Sequence, residues 1–326
     1  MQMRSYLGLL LALAAVSAVA ADKPATIESF LQRLGYFPIP LFHLDNHLYV
    51  DGELNGAKAR FFVDSGWSLS AVDESRADKL PRVGDGVAGV KDSFLGELTG
   101  TNWHLAQRLE IGGAQFLNQP VRVRRLASRT SKLPASAVLG CDFLFRNFAL
   151  IDFQERRLFV RGSEPPATHR QALEESLRRS GFGRAELTVS PALAFTAAGR
   201  IGDEQVPLVV DTGGVWSILD KEVARRLGLK LYPSRYKIGG VAARRAESLS
   251  VARLETFGLG GTTLKEFEFG VADLAQWRLG EGRGDEAEVA AGVLGADFLA
   301  YHRALLDFHG KAMWFLPEAD DRRPRR

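Results

Sequence analysis

The clearest pattern along the chain is a short apolar run that stops abruptly at an acid, a hydroxyl residue and a glycine, and it occurs twice. Phe61-Phe62-Val63 leads into Asp64-Ser65-Gly66, and Leu208-Val209-Val210 leads into Asp211-Thr212-Gly213. Runs of this kind predict buried strands. A carboxylate at the end of such a strand is costly to desolvate, so it is expected to be paired, hydrogen-bonded or functional.

The repetition extends beyond these loops. Ser70 and Asp73 follow the first acid at the spacings at which Ser217 and Asp220 follow the second. Leu109-Glu110-Ile111-Gly112-Gly113 is answered by Phe257-Gly258-Leu259-Gly260-Gly261. Val138-Leu139-Gly140-Cys141-Asp142-Phe143-Leu144 is answered by Val293-Leu294-Gly295-Ala296-Asp297-Phe298-Leu299, and Ala149-Leu150-Ile151-Asp152-Phe153 by Ala304-Leu305-Leu306-Asp307-Phe308. Features recurring in the same order describe one unit written twice, with a short insertion in the second copy ahead of its Val-Leu-Gly segment.

The remaining pattern fills in around the repeat. Leu48–Glu53 and Lys58–Val63 read as strands about a turn at Asn55-Gly56, a hairpin that delivers Asp64 to a strand end. Ile27, Phe30, Leu31 and Leu34 have helical spacing, with Thr26 as cap and Gly35 as stop, and predict a helix on the outside of the first lobe. Asp73 and Asp220 are placed to cap helices over Glu74–Leu80 and up to Leu227. Leu173 and Leu177 predict a surface helix within a linker, ending at Gly181, and Leu279–Glu288 reads as an exposed loop.

The expected layout is a signal peptide over 1–20, a first lobe with its leading helix over 21–160, and a linker over 161–184. A second lobe over 185–317 and a basic tail over 318–326 complete it. Arg4, the apolar run Leu7–Val19 and the small residues Ala18-Val19-Ala20 have the order of a cleavable export signal. The run is too short for a stable membrane anchor. The expected location is therefore periplasmic or secreted.

Composition narrows the classes. At 326 residues, 46% apolar and 25% charged with net charge +3, the chain can build two cores, and its even balance gives no sign of a nucleic-acid partner. The arginine-rich tail reads as solvated. Cys141 is the one cysteine, so no internal disulfide is possible, and its counterpart Ala296 marks it as a small buried filler. His43 and His47 have the spacing of helical metal ligands, but the local pattern alternates after Pro38 and Pro40, so no metal is expected there.

With Asp-Ser/Thr-Gly and an apolar-apolar-Gly strand in both halves, the chain resembles the retropepsin-like and pepsin-like aspartic proteases over roughly residues 45 to 316. The resemblance implies a mostly β fold: two homologous acid-protease β-barrel lobes related by a pseudo-twofold axis, with a few short helices. It implies a monomer of two lobes acting on a peptide or protein substrate, without cofactor or metal. It assigns catalysis to Asp64 and Asp211, and interlobe hydrogen bonds to the Ser65 and Thr212 hydroxyls. Gly66 and Gly213 supply the tight backbone, and Ser70 and Ser217 support the carboxylates. Val83–Gly89, including Gly86, falls where the family has its substrate-covering flap. Gly140 and Gly295 would allow strands to cross closely behind the aspartate loops, and Asp142 and Asp297 read as helix caps.

There are departures. The residue after the motif is usually small, which Gly214 satisfies and Trp67 does not, while Trp216 breaks the symmetry the other way. The candidate substrate cleft comprises Trp67, Gly86, Gly214, Trp216, Gly239 and Gly240. Two carboxylates a few ångströms apart in a dry cleft share a proton, so one can act as base and the other as acid on a water and a peptide carbonyl. The expected activity is that of an exported aspartic endopeptidase. The alternatives are a non-catalytic peptide-binding or envelope-interaction protein on the same fold, and a dimer in which halves pair between chains. A serine hydrolase is not supported, because the Gly-X-Ser-X-Gly elbow does not occur.

Overall fold

The computed structural model describes residues 26–44, 46–85, 102–126, 135–190, 193–239, 246–274 and 291–318. The first half runs α1 (Ile27–Arg33), β1 (Phe37–Pro40), β2 (Phe42–Leu44), β3 (His47–Leu54), β4 (Ala57–Val63) and β5 (Ala71–Asp73). It continues with β6 (Arg82–Asp85), β7 (Asn102–Ile111), β8 (Ala114–Arg124), β9 (Ala137–Leu139), α2 (Cys141–Arg146), β10 (Leu150–Asp152) and β11 (Arg157–Val160). The second half runs α3 (Ala167–Arg179), β12 (Gly183–Val189), β13 (Phe195–Ile201), β14 (Glu204–Val210), β15 (Ile218–Asp220) and α4 (Lys221–Arg226). It continues with β16 (Leu231–Ile238), β17 (Glu247–Leu259), β18 (Thr262–Ala272), β19 (Gly292–Leu294), α5 (Ala296–Tyr301), β20 (Leu305–Asp307) and β21 (Ala312–Phe315).

Each half curls into a barrel. In the first, the strand order β2-β3-β4-β9-β5-β8-β7-β6 closes on itself through a further β3–β7 pairing. In the second, β13-β14-β19-β15-β18-β17-β16 closes through β13–β17. Within each barrel the strand entering the aspartate loop lies parallel to the Val-Leu-Gly strand, β4 beside β9 and β14 beside β19. The turn at Asn55-Gly56 has both residues at positive φ, 48° and 78°, the backbone of a tight hairpin whose twist suits its strands.

The two barrels stand on one shared antiparallel sheet, β1-β11-β10-β20-β21-β12, three strands from each half. At its centre Leu150 faces Asp307, Ile151 faces Leu306 and Asp152 faces Leu305, so the pseudo-twofold axis passes between Ile151 and Leu306. The molecule is therefore mostly β, two barrels of the same plan on a shared sheet, with a few short helices. Alternation on β4 sends Phe61 and Val63 into the main core and Phe62 to the opposite face, where it joins Tyr49 and Trp67.

Two sequence expectations change here. The helix α1, capped by Thr26 through the Ser29 amide at 3.1 Å, does not sit on the outside of the first lobe. Its Leu31 packs beneath the shared sheet with Leu150, Phe159, Leu173, Leu177, Leu305 and Trp314. The stretch read as a linker carries the counterpart of α1: α3 contributes Leu173 and Leu177 to the same cluster. Both helices lead through a positive-φ glycine, Gly35 (85°) or Gly181 (83°), and an aromatic residue into a strand of the shared sheet. The duplication thus begins earlier in each half than its sequence signal does.

Candidate active site

The aspartate loops meet on the pseudo-twofold axis, where backbone geometry is set by short-range hydrogen bonds. The Asp64 and Asp211 amides donate to Leu139 and Leu294 carbonyls at 3.1 and 2.9 Å, fixing each loop to its parallel neighbour. The Gly66 amide donates to Asp64 Oδ1 at 2.7 Å, and the Gly213 amide to Asp211 Oδ1 at 2.8 Å. Glycine is required at 213 because a Cβ there would overlap the Asp64 carboxyl of the other lobe.

Ser65 and Thr212 lock the loops together. The Ser65 amide donates to Thr212 Oγ1 at 2.9 Å, and the Thr212 amide to Ser65 Oγ at 3.0 Å. Each hydroxyl then donates to the strand entering the other loop, Ser65 to the Val210 carbonyl at 2.8 Å and Thr212 to the Val63 carbonyl at 2.9 Å. All four groups are buried, so none has water as an alternative partner.

A second pair of serines does something other than expected. Ser70 and Ser217 do not support Asp64 and Asp211. The Ser70 amide and hydroxyl both donate to Asp142 Oδ1 at 2.7 Å, and the hydroxyl accepts from the Gly140 amide at 3.0 Å. Ser217 repeats this with Asp297, at 2.8 Å from its amide and 2.7 Å from its hydroxyl, and accepts from Gly295 at 3.1 Å. Asp142 and Asp297 are therefore more than helix caps, since their carboxylates tie the starts of α2 and α5 to the aspartate loops. The loops reciprocate: the Cys141 and Asp142 amides donate to the Trp67 and Ser68 carbonyls, and Ala296 and Asp297 to Gly214 and Val215. This occupies N–H groups that a helix start leaves without partners.

The close approach explains Gly140 and Gly295. A Cβ on Gly140 would lie 2.6 Å from the Trp67 carbonyl oxygen, and one on Gly295 2.6 Å from that of Trp216. Cys141 fills the space beneath, its thiol donating to the Ser65 carbonyl at 3.0 Å. Burial and the nearby aspartates push that thiol well above its ordinary value, so it stays neutral.

Electrostatically the two acids form one unit. Burial pushes Asp64 well above the usual carboxylate range, and the charge of Asp211 and a hydrogen bond with it push further, against the pull of the Gly66 and Gly213 amides. Burial also raises Asp211, while the hydrogen bond from Asp64, the Gly213 and Gly214 amides and the charge of His47 pull it down. Both carboxyls are thus raised by burial and titrate as one coupled pair.

The cleft candidates divide. Trp67 is buried at 4% exposure with Tyr49, Phe62, Ala71, Leu126 and Val138. Trp216 is half-buried and packs against Tyr236 of β16, with ring centroids 5.1 Å apart and the planes tilted by 45°. Gly214 adjoins Asp211: a Cβ there would lie 2.9 Å from Oδ2. Gly239 directly follows β16, which pairs antiparallel with β17, while Gly86 and Gly240 lie outside the described residues. Of the flap segment, residues 83–85 belong to β6, which pairs with β7, and the remainder lies outside the described residues. The signal peptide, the loop at 279–288 and the tail from 319 lie outside them as well. His43 and His47 sit on strands β2 and β3, and among the described residues there is no cluster of three or more His, Cys, Asp or Glu that could hold a metal.

Comparison with known proteins follows the same lines. Residues 197–298 match the family model described as aspartyl protease. The DNA damage-inducible protein 1 of Candida glabrata is 28% identical over 154 residues, 44% of this chain and 32% of that one, so the match spans about a third of the relative's length. The crystal structure of the aspartic proteinase from Irpex lacteus is similar at a TM-score of 0.49 and 14% identity, over 86% of this chain and 97% of that one. A retropepsin-like aspartic protease from Rickettsia conorii is similar at a TM-score of 0.26 and 21% identity, over 39% of this chain and 89% of that one. The aspartyl-protease model thus matches within the second lobe, whose Asp-Thr-Gly loop the first lobe repeats as Asp-Ser-Gly.

Proposed function

We propose that the protein is an exported aspartic endopeptidase in which one chain supplies both catalytic acids. The observation that carries this reading is the buried, proton-sharing contact of Asp64 and Asp211, each held by its own loop and clamped to the other lobe by Ser65 and Thr212. A protein that only bound peptides would have no need of a desolvated carboxylate pair, which is costly to fold around.

The chemistry follows from the sharing of one proton between two buried carboxyls. The ionised member of the pair takes a proton from a water held between the carboxyls as that water attacks a peptide carbonyl. The protonated member donates a hydrogen bond to the carbonyl oxygen as negative charge develops there. The proton taken from the water then passes to the departing amine, the C–N bond breaks, and the pair returns to its singly protonated state. The export assignment rests on the leader pattern of residues 1–20.

Cleavage of a diverse peptide library, read by mass spectrometry from acid to neutral pH with and without a statine-containing peptide, tests the reading. Cleavage suppressed by the statine peptide is the expected result. Folded protein that neither cleaves any peptide nor binds the statine peptide would overturn it.

A further inference from the structure

One stretch of the repeat differs sharply in charge between the lobes. From Val223 to Ala246 the sequence carries seven cations and no acid, whereas the equivalent stretch of the first lobe, Arg76 to Thr99, carries four of each sign. Since the two lobes share one plan, the fold itself does not require this charge.

The structure places the described part of the stretch on α4 and β16. On α4 the cations are matched, Arg225 by Glu222 at 2.9 Å and Arg226 by Glu204 at 3.1 Å. On β16 they are not: among the described residues, Lys230, just ahead of the strand, and Arg235 and Lys237 within it enter no ion pair. The strand is the last of its barrel, paired with β17 on one side and with no described strand on the other. Alternation turns Tyr236 and Ile238 inward onto the cluster that holds Ile218, and leaves Arg235 and Lys237 exposed on the outer face. Leu231 and Tyr232, 38% and 36% exposed, stand at the start of the same strand. Lys230 and Arg253 each lie 5.2 Å from the Tyr232 ring centroid, and Arg253 is itself paired with Glu268 at 2.8 Å.

Charges and prolines on an edge strand also guard it from pairing with a second copy, and Pro233 fits that role. That role needs neither a single sign of charge nor an exposed leucine and tyrosine. We propose that the outer face of β16, from Lys230 to Lys237, docks an acidic, extended segment of the protein substrate outside the cleft. Lys230, Arg235 and Lys237 meet its carboxylates, Leu231 and Tyr232 its apolar residues, and the open strand edge suits an extended chain. Glu247, opposite Ile238, bounds the surface at its far end. Through Tyr236 and Trp216 the strand is tied to the Asp211 loop, so a segment docked there raises the local concentration of the rest of the substrate at the aspartates. This inference rests on the protease reading, and the two can fail separately.

The test uses the full chain and one cleaved peptide, extended at either end through a Gly-Ser spacer by eight residues, the length of β16, that are acidic, neutral or basic. At one of the two ends the acidic extension is expected to raise kcat/KM about tenfold over the neutral one, mainly through KM, as three exposed ion pairs together would. The gain disappears at about 0.5 M salt. In Lys230→Glu/Arg235→Glu/Lys237→Glu the acidic gain is lost and the basic extension gains instead, while the neutral peptide stays within about twofold, the mark of an intact fold. Binding of a labelled acidic peptide is read in parallel by fluorescence anisotropy. Equal kcat/KM for acidic and neutral extensions at both ends, or an acidic preference that the triple variant keeps, overturns the inference and leaves the protease reading intact. No cleavage of any peptide, with the acidic peptide still bound through the three cations, overturns the protease reading and leaves the docking surface. Phosphatidylglycerol vesicles that bind the wild type when the acidic peptide does not would assign the surface to anionic lipid and overturn its assignment to substrate.

Discussion

The Thr212 hydroxyl accepts from the Ser65 amide at 2.9 Å, and the Ser65 hydroxyl accepts from the Thr212 amide at 3.0 Å, so each lobe completes the other's aspartate loop. The pair sits next in sequence to Asp64 and Asp211, and any slack between these residues becomes slack between the carboxyls.

Thr212→Val keeps the shape and removes the oxygen, leaving the buried Ser65 amide and Val63 carbonyl without their partner. Roughly 2–4 kcal/mol of stability should be lost, from two buried groups left unmatched, with a fall in kcat. Thr212→Ser should restore most of both. Denaturant unfolding and peptide turnover on the two variants check this.

Gly295→Ala places a methyl 2.6 Å from the Trp216 carbonyl carbon and oxygen and 2.7 Å from the Gly214 carbonyl oxygen, all of it backbone. Since backbone cannot rotate away as a side chain can, the aspartate loop itself must shift, at a cost of about 1–3 kcal/mol or more. Gly162→Ala, where nothing lies within 4 Å, is the control and should be near neutral. Thermal unfolding of the two variants distinguishes them.

Asp152 makes stability depend on pH in an unusual direction. Burial pushes it up to about 6, against the pull of the Glu155 and Gln154 amides and of Arg157. A carboxyl raised above its unfolded value of 3.8 favours the fold most below that value, and the benefit is lost as pH rises through about 6. Asp152→Asn, which can still accept from both amides, should therefore match the wild type near pH 4 and exceed its stability near pH 7.5 by roughly 2–3 kcal/mol. Urea unfolding at the two pH values is the measurement, and parallel behaviour at both would contradict the assignment.

Much of this was legible before any coordinates. The pairing of Asp64 with Asp211 can be read because the repeat places two costly carboxylates in equivalent settings, and the barrel hairpins because Asn55-Gly56 and the apolar runs act locally. What escaped reading is what depends on distant partners. A serine six residues after an aspartate looks like its support, yet Ser70 reaches Asp142, 72 residues away, and nothing local separates the two options. The recurrence of Ser70 with Asp142, and of Ser217 with Asp297, was the available signal. The kinship of α1 and α3 was hidden because helix surfaces tolerate change: only a glycine, an aromatic residue and an apolar stripe persist between them. Trp67 was ambiguous in sequence, because a tryptophan serves a core or a cleft equally well until its neighbours are known.

The most direct test of the central claim is kcat/KM on one cleaved peptide for the wild type, Asp64→Asn and Asp211→Asn, each checked for folding. One shared-proton site built from both lobes predicts that either substitution alone lowers kcat/KM by a factor on the order of a thousand or more, since acid and base act as a unit. A folded variant of either kind that keeps activity within about tenfold of the wild type would contradict it.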